Sequence, residues 1–371
     1  MIYLDYQATT PIAPEVAAAM RPWAEDHFAN PHSPSRAGRE AAAAIEVARD
    51  QVEKAIGLTG GSVAFTGSAT EAINWALKGT VERVSDRNRI VTIATEHAAV
   101  LDSCDWLEGQ GCEVVRLPVG ADGLVDLADV KDALDERVAI VAAMLVNNEI
   151  GVIQPVAEIA EAAHGVGAVM LCDAVQGLGR VPIPDGPDLV AVSAHKIHGP
   201  KAIGALWMRA GAEPAPFIHG GGQERGLRSG TLSPALCVGF GAAAKLASER
   251  AAEDHDHIER LWITAGSSLM TDWIINGSMT QRYHGNLNVY WPGVDAARLI
   301  SEVRDVAFSL GSACASGSGR PSHVLRALGL SDRDARSCIR LGFGRYTTED
   351  EIIDGVNRID YAARTQQGWA A

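Results

Sequence analysis

A lysine follows an apolar run in a turn that also contains serine, histidine, glycine and proline. The segment Ser193–Lys201 reads SAHKIHGPK, with Lys196 at its centre. In wound α/β folds, ligands bind at the edge of the sheet where the strands end. A lysine there becomes a nucleophile when its surroundings lower its pKa, and it can then form a Schiff base with a carbonyl cofactor. A single loop lysine is more often an ordinary surface residue, so this interpretation needs a second feature.

The second feature is an aspartate at the end of another apolar run. The segment Val169–Asp173 reads VMLCD and lies upstream of Lys196. A carboxylate at the end of a buried strand is costly unless it meets a partner. Pyridoxal phosphate offers one in its protonated ring nitrogen. Asp173 and Lys196 together therefore indicate a pyridoxal phosphate enzyme, although the pair by itself fits a purely structural role equally well.

Two further segments could bind an anion or supply a thiol. Thr66–Glu71 (TGSATE) follows a predicted strand and opens a predicted helix, which suits a phosphate but is also an ordinary helix N-cap. Ser309–Gly319 (SLGSACASGSG) places Cys314 among small residues, so we expect a thiol on a mobile loop, where its presence implies a use. The other five cysteines are interpreted as packing residues. Asp254–His257 (DHDH) is interpreted as a solvated helix face, and no metal site is predicted.

The elements that position these residues alternate between strand and helix. Predicted strands, several of them apolar throughout, are Ser62–Thr66, Arg89–Ala94, Glu113–Leu117, Ala139–Val146, Ala168–Cys172, Leu189–Ser193 and Ile203–Met208. Predicted helices between them are Ala69–Val84, Ala98–Gln110, Leu127–Leu134 and Val156–His164. This alternation predicts an α/β fold with a mainly parallel wound sheet.

The pattern changes beyond Ser233. A long helical stretch is predicted from Pro234 to about Ile275, and short strands among helices follow it: His284–Tyr290, Ala307–Leu310 and Ile339–Gly342. These features predict a smaller α+β domain. The expected boundaries are 14–250 for a large cofactor-binding domain, and 1–13 with 251–371 for the small domain. The first helical segments, about Pro14–Asp26 and Arg36–Ile56, could instead pack with the small domain.

Composition excludes several classes of function. The chain has 371 residues and a formal net charge of −14, so nucleic acid is not expected as its main ligand. Its longest apolar stretch, Val138–Val146, is too short to span a bilayer. With neither a secretory signal nor a zinc-type cysteine spacing, we expect a cytoplasmic protein with reduced thiols and no membrane partner.

Taken together, these segments resemble the cysteine desulfurases of the NifS/IscS type, which are pyridoxal phosphate enzymes of the aminotransferase class V group. The resemblance runs nearly end to end through Tyr3–Pro11, Asn30–Ser33, Thr95–His97, Val146–Gly151, the Asp173/Gln176 pair, Ser193–Lys196, Arg228–Thr231, Gly311–Cys314 and Ser337–Arg340. It implies pyridoxal phosphate fold type I, pyridoxal 5'-phosphate as cofactor and L-cysteine as substrate.

The resemblance also implies a role for each matching residue. Lys196 would form the Schiff base and act as general base, Cys314 would be the nucleophile, and His97 would stack on the cofactor ring. The remaining cofactor contacts would be Ala69, Thr70, Asp173, Gln176, Ser193 and His195, with Thr231 reaching the phosphate of the neighbouring subunit in a homodimer. Asn148 and Arg340 would hold the substrate carboxylate, Arg340 in a two-pronged geometry that lysine cannot reproduce.

The implied activity is conversion of L-cysteine to L-alanine, with sulfur carried as a persulfide on Cys314 for iron–sulfur cluster assembly or other thio-cofactors. The acceptor would be a protein such as an iron–sulfur scaffold. Within the same fold, selenocysteine lyase or another class V aminotransferase-type enzyme stays open. A sulfur-relay or assembly partner without its own turnover is the non-enzyme alternative. The sequence departs from the family pattern in two ways: Gly67 and Ser68 are exchanged, and Ala202 replaces the usual glycine.

Overall fold

The computed structural model describes residues 1–269, 272–311 and 321–368. The strands are β1 (Ile2–Tyr3), β2 (Gly61–Thr66), β3 (Arg89–Ile93), β4 (Glu113–Leu117), β5 (Val138–Met144), β6 (Val169–Asp173), β7 (Leu189–Ser193), β8 (Gly204–Arg209), β9 (Ile274–Ile275), β10 (Asn286–Tyr290), β11 (Val306–Ala307), β12 (Ser309–Leu310) and β13 (Cys338–Gly342). The helices are α1 (Pro14–Glu25), α2 (Arg36–Ile56), α3 (Ala69–Arg83), α4 (Ala98–Glu108), α5 (Leu127–Asp132), α6 (Val156–Gly165), α7 (Pro234–Glu249), α8 (Ala251–Ser268), α9 (Ala296–Glu302), α10 (His323–Ala327), α11 (Asp332–Ala335) and α12 (Glu349–Gly368).

The largest sheet has seven strands in the order β2-β8-β7-β6-β5-β3-β4. Strand β8 is antiparallel to both of its neighbours, whereas the pairs from β7 across to β4 are all parallel. The predicted α/β fold with a mainly parallel wound sheet is therefore confirmed. A parallel sheet needs helical crossovers, and those helices cover both of its faces.

The strands of this sheet alternate their side chains between two apolar layers. In β7, Val190 and Val192 face a layer that contains α2, α6 and α7, while Leu189 and Ala191 face α3 and α4. Every residue of β5 is buried. Continuous apolar runs such as β5 form strands here because helices cover both faces of the sheet and exclude water. The prediction of buried strands from such runs is therefore confirmed.

The parallel direction brings several polar side chains to one edge. Strands β2, β6 and β7 end at Thr66, Asp173 and Ser193, and the antiparallel β8 begins at the same edge with Gly204. The segments that follow β3 and β5 also leave the sheet at this edge, because both strands run parallel to β6. Residues far apart in sequence are thereby collected where ligands bind in wound folds.

A second group of strands lies nearer the C-terminus. Strands β12, β13, β10 and β9 form an antiparallel sheet in that order, and β1 pairs in parallel with β11. A separate apolar cluster contains Leu4 from the N-terminal segment together with residues between Leu261 and Ala363. This is the α+β portion expected from the sequence; its boundaries at 13/14 and 250/251 remain a prediction.

The suggestion that the first helices pack with the smaller domain is wrong. Helices α1 and α2 lie against α7, and their apolar residues belong to the same cluster as one face of the seven-stranded sheet. Gly241 of α7 permits this packing, since a Cβ there would lie 2.6 Å from the Cα of Ala48 in α2. The alanine-rich faces of α2 and α7 allow the two helix backbones to approach closely. Hydrophobic periodicity does not show which helices will pack together in this way.

The long helical stretch predicted from Pro234 to about Ile275 is helical as far as Ser268, in two helices, and its C-terminal end is wrong. Helix α7 ends at Glu249, α8 ends at Ser268, and Ile274–Ile275 pairs as β9 with the edge of β10. Likewise, Ala307–Leu310 is two short strands in two different sheets rather than one strand. In both places tertiary pairing decides the conformation of very short β-branched or mixed segments. Across the three described ranges, no helix has both the length and the apolar character needed to cross a membrane.

Candidate active site

A cavity of about 580 Å³ opens at the carboxyl edge of the seven-stranded sheet. Ten of the twelve predicted site residues line it: Ala69, Thr70, His97, Asn148, Asp173, Gln176, Ser193, His195, Lys196 and Arg340. Thr231 is exposed and lies outside the cavity lining, and Cys314 falls outside the described residues. A concave site of this size with a few convergent polar groups is typical of a small-molecule or cofactor pocket.

Lys196 lies in the 3₁₀ turn that follows β7. Its Nζ donates to the backbone oxygens of Gln7 at 2.6 Å and Ala8 at 2.7 Å. Arg180 Nη2 donates to the Lys196 carbonyl oxygen at 2.9 Å, and this hydrogen bond stabilises the turn. The amine is thus held at the cavity wall by the N-terminal segment, a contact that the sequence did not predict.

Asp173 is the last residue of β6 and is 5% exposed. Burial raises the pKa of its carboxyl group, while the His97 ring, the Val175 amide and the Lys196 amine act in the opposite direction. Oδ1 accepts a hydrogen bond from the Val175 N–H at 3.0 Å. A desolvated carboxylate that accepts from the Val175 N–H is suited to a cationic ligand atom, because the attraction to a cation would offset the free energy lost with its hydration.

His97 caps helix α4, and its Nδ1 accepts from the Ala99 N–H at 3.0 Å. Burial lowers the pKa of the ring. The neutral tautomer that this bond selects carries its proton on Nε2. The ring therefore presents a flat, uncharged face at the cavity, which fits stacking on an aromatic ligand.

The part of the cavity lining at the start of α3 is suited to an anion. Ser68 caps α3 by accepting from the Glu71 N–H at 3.1 Å, and Glu71 in return accepts from the Gly67 N–H at 2.7 Å. This reciprocal capping leaves the amides of Ala69 and Thr70 at the positive end of a 15-residue helix, facing the cavity. The two interpretations of Thr66–Glu71, N-cap and anion site, are compatible, and the exchanged Ser68 serves as the cap.

Close backbone contact shapes this anion-binding end. A Cβ at Gly204 would lie 2.5 Å from the carbonyl carbon of Ser68 and 2.6 Å from the nitrogen of Ala69, so β8 can start there only as glycine. His195 places its Nδ1 3.2 Å from Thr9 Oγ1, and burial lowers the pKa of that ring to about 4. A neutral His195 retains an N–H for a ligand oxygen without adding a charge.

Arg340 lies in the middle of β13 with a fully buried side chain. Its Nη1 donates to the Asn148 carbonyl oxygen at 3.0 Å, and its Nη2 donates to Asp5 Oδ1 at 2.7 Å and Ser309 Oγ at 3.2 Å. Nε is buried and has no hydrogen-bond partner among the described residues. A buried guanidinium with spare donor capacity on a cavity wall is suited to a carboxylate ligand.

Comparison with known proteins identifies the chain. The aminotransferase class-V family profile matches residues 2–354. Proteins described as "Cysteine desulfurase IscS" from Rickettsia peacockii (strain Rustic) and Rickettsia bellii (strain OSU 85-389) are each 43% identical, over 96% and 98% of this chain and 90% and 89% of theirs. The chain belongs to the class-V aminotransferase family.

Solved structures show the same fold for this class-V chain. A structure described as "NIFS-LIKE PROTEIN" has a TM-score of 0.91 at 32% identity, covering 98% of this chain and 99% of its own. A NifS-like protein from Rickettsia africae ESF-5 has a TM-score of 0.88 at 28% identity, covering 97% of this chain and 99% of its own. Both alignments extend over nearly the whole of this chain, so the fold described above is the fold of these NifS-like structures.

Pyridoxal 5'-phosphate is the cofactor of this class-V enzyme, and the residues present fit it. The cavity offers helix amides and a glycine-lined backbone for a phosphate, a buried carboxylate for a ring nitrogen, and an amine between them. Gln176 also lines the cavity, with its Nε2 donating to the Gln7 carbonyl oxygen at 3.0 Å and its Oε1 accepting from Arg180. The predicted roles of the individual residues remain proposals.

Three features of this class-V site were missed from the sequence. Asp5 pairs with Arg340, the carbonyls of Gln7 and Ala8 hold Lys196, and Glu96, the residue before His97, is fully buried. The segment Tyr3–Pro11 and the segment Thr95–His97 were noticed only for their resemblance to the family. An acidic residue directly before a predicted site histidine, inside an apolar context, was the one available signal for Glu96.

The Asp254–His257 segment is more than a solvated helix face. Asp254 accepts from Arg345 Nη2 at 2.6 Å, and His257 Nε2 is 2.8 Å from the Thr347 carbonyl oxygen. These two residues face inward and tie α8 to the segment before α12, whereas His255 and Asp256 are exposed. Within residues 1–269, 272–311 and 321–368, no group of three or more His, Cys, Asp or Glu side chains is arranged to hold a metal ion.

Proposed function

We propose that this protein is an L-cysteine desulfurase that forms L-alanine and transfers sulfur to Cys314. The observation that carries the proposal is one cavity that combines Lys196, Asp173 and Arg340 in a chain 43% identical to proteins described as cysteine desulfurases. An amine, a buried carboxylate and a buried guanidinium together meet the needs of pyridoxal chemistry on an α-amino acid.

Arg340 and Asn148 set the orientation of the substrate. Arg340 binds the α-carboxylate through the donors that its contacts with Asp5 and the Asn148 carbonyl leave available. The Asn148 side chain lines the same cavity and donates to that carboxylate. Two fixed points at one end of a small amino acid hold its Cα and Cβ in a defined place, which removes most of the entropy cost of reaction.

Lys196 and Asp173 handle the proton and the charge. When bound, pyridoxal phosphate supplies a conjugated ring that accepts the electron pair released at the substrate Cα. Lys196 Nζ removes the Cα proton as general base and returns a proton to the carbon skeleton. Asp173 keeps a proton on the ring nitrogen, since a buried carboxylate gains most from a cationic partner.

The sulfur leaves as a persulfide. The Cys314 thiolate attacks the substrate sulfur, an S–S bond forms, and the Cβ–S bond breaks with its electron pair retained on Cβ, which is then protonated. The balance is L-cysteine plus the Cys314 thiol giving L-alanine plus the Cys314 persulfide, and no external oxidant or reductant is needed. Cys314 enters this proposal from the sequence alone.

The partners follow from the same assignment. A homodimer would place Thr231 at the phosphate of the second subunit; Thr231 is exposed and outside its own chain's cavity lining, as that role requires. The persulfide would pass to a sulfur-acceptor protein such as an iron–sulfur scaffold, in the cytoplasm. Arg228 fixes the segment before Thr231 through a bidentate contact with Glu71, at 2.6 and 3.0 Å.

Alanine release from L-cysteine by the purified holoenzyme tests the activity. With dithiothreitol present, Cys314→Ala should abolish alanine formation while leaving the yellow pyridoxal absorbance intact, because the ring site does not depend on the thiol. Cys112→Ala is the matched control, since Cys112 is the partly exposed cysteine among the described residues, and it should retain the full rate. Undiminished alanine release by Cys314→Ala would refute the nucleophile assignment.

Lys196→Ala tests the cofactor assignment separately. The variant should lose the absorbance of the lysine-bound cofactor and all turnover. Retained turnover would contradict the scheme. Rates with selenocysteine beside those with cysteine decide between a desulfurase and a selenocysteine lyase, and a much higher rate with selenocysteine would overturn the proposed substrate.

A further inference from the structure

A partly buried carboxylate is already paired with the arginine that receives the substrate. Asp5 Oδ1 lies 2.7 Å from Arg340 Nη2, and the two side chains are 18% and 1% exposed. The Ser309 hydroxyl donates to the same Asp5 oxygen at 2.8 Å and accepts from Arg340 Nη2 at 3.2 Å. Asp5 therefore neutralises Arg340 before any substrate carboxylate arrives.

The backbone holds Asp5 rigidly in this place. Residues Ile2–Tyr3 pair with β11, and the Leu4 carbonyl accepts from the Gly342 N–H at 2.8 Å, two residues beyond Arg340 on β13. The Tyr6 N–H donates back to the Gly342 carbonyl oxygen at 3.2 Å. Asp5 lies between these two contacts, so its backbone is fixed beside β13, while the Ser309 hydroxyl and the Arg340 guanidinium both hold its carboxylate.

We propose that Asp5 is a counter-charge that limits how tightly Arg340 grips carboxylates. With Asp5 in place, a substrate carboxylate on Arg340 meets a second fixed negative charge close by, and like charges at such distances weaken binding. L-Cysteine and L-alanine share the same carboxylate and amino groups. If Arg340 bound the carboxylate of the substrate more tightly, it would bind that of the product more tightly by the same amount. Weaker carboxylate binding therefore favours turnover. The inference rests on the proposed function.

A purely positional role for Asp5 makes the opposite prediction. Asp5→Asn keeps an oxygen that accepts from Arg340 and Ser309, but it removes the negative charge. If Asp5 only aimed the guanidinium, weakening this bond would leave carboxylate binding unchanged or poorer. If Asp5 is a counter-charge, the variant leaves Arg340 with an uncompensated buried charge, and a ligand carboxylate then becomes its best partner.

The test compares holoenzymes of wild type, Asp5→Asn and the control Asp305→Asn. Asp305 is exposed, pairs with Arg358 and makes no contact with Arg340, so the control changes the net charge by the same amount. The dissociation constant of L-alanine is measured from the change in cofactor absorbance, and KM and kcat are measured for L-cysteine and for L-cysteine methyl ester, which lacks the anionic carboxylate.

Asp5→Asn should bind L-alanine about tenfold more tightly and lower the KM for L-cysteine by a similar factor. Its kcat should be equal or lower, and its KM for the ester should stay within about twofold of wild type. Asp305→Asn should match wild type throughout. The counter-charge proposal would be overturned if a folded Asp5→Asn enzyme bound L-alanine no more tightly than wild type. It would also be overturned if the KM for the ester fell by the same factor as the KM for L-cysteine.

Two measurements distinguish a failure of the counter-charge proposal from a failure of the proposed function and from misfolding of the variant. If wild type forms no alanine from L-cysteine, the proposed function fails, whereas the alanine dissociation constants still report on Arg340 and Asp5. Far-ultraviolet circular dichroism and the cofactor absorbance show whether Asp5→Asn is folded and loaded. Should it fold poorly, Asp5→Glu provides the second arm. That variant retains the charge and should keep the L-alanine dissociation constant within about twofold of wild type, and tightening like that expected for Asp5→Asn would also overturn the proposal.

Discussion

Glu96 is a buried acid whose protonation should be visible in the pH dependence of folding. Its side chain has no exposed surface, Oε1 accepts from the Met144 N–H at 2.8 Å, and Oε2 has no hydrogen-bond partner among the described residues. Burial raises the pKa of Glu96 well above its ordinary value of 4.5, the Met144 N–H lowers it, and Asp173 raises it further. The net effect favours the protonated, uncharged form of Glu96 in the folded protein.

The sign of the effect follows from proton binding. Above pH 4.5 and below the native pKa, the unfolded chain has lost this proton while the folded chain keeps it. The free energy of unfolding must then fall as pH rises, by about 1.4 kcal/mol per pH unit from this one group. This loss continues with rising pH until the pH passes the pKa of Glu96 in the folded protein. Glu96→Gln removes it, since an amide does not titrate.

Urea unfolding of wild type and Glu96→Gln, measured at pH 5.5, 6.5 and 7.5, tests this reasoning. While the pH lies below the pKa of folded Glu96, the difference in unfolding free energy should change in favour of the variant by about 1.4 kcal/mol per pH unit. Glu136→Gln, at an exposed position, should run parallel to wild type. If Glu96→Gln also runs parallel to wild type, Glu96 is ionised in the folded protein and the argument is wrong.

The outcome matters for the proposed chemistry. A neutral Glu96 leaves Asp173 as the acid that carries negative charge toward the cofactor ring, and the Asp173 carboxylate itself raises the pKa of Glu96. An ionised Glu96 would compete with Asp173 for a cationic partner. Glu96→Gln should accordingly retain its cofactor absorbance and cysteine turnover.

Three further predictions use the same fold. Glu224→Gln should lower the free energy of unfolding in urea by about 3 kcal/mol, because it breaks the buried pair with Arg49. Glu46→Gln, which removes a mostly exposed partner of the same arginine, should cost less than about 1 kcal/mol, and equal losses would contradict this account. Ala202 has a φ of +63°, so Ala202→Gly should raise urea stability by about 1 kcal/mol; a decrease would refute the strain. Arg340→Lys should lower kcat/KM for L-cysteine about a hundredfold in steady-state assays, and an unchanged value would exclude two-pronged binding.

Local sequence patterns were sufficient for the main sheet and for the position of the site edge. Strands such as Glu113–Leu117 and Leu189–Ser193 match their predicted bounds. The apolar Leu189–Ser193 is buried throughout, because helices cover both faces of the sheet there. Patterns failed where packing partners decide the outcome. Helices α1 and α2 lie on α7, and Ile274–Ile275 pairs as a strand, since the alternatives differ in tertiary contact rather than in local propensity.

By itself the sequence determined the α/β class and the strand-end positions of Asp173 and Lys196, and its resemblance to a family named the remaining candidates. Only the tertiary structure decided what touches them. Asp5 meets Arg340 across 335 positions of chain, and Gln7 meets Lys196 across 189. Local periodicity does not predict such pairs. They form only in the folded protein, where the ends of the parallel strands lie at one edge of the sheet. The charge state of the site is set by those distant contacts and by the water they exclude.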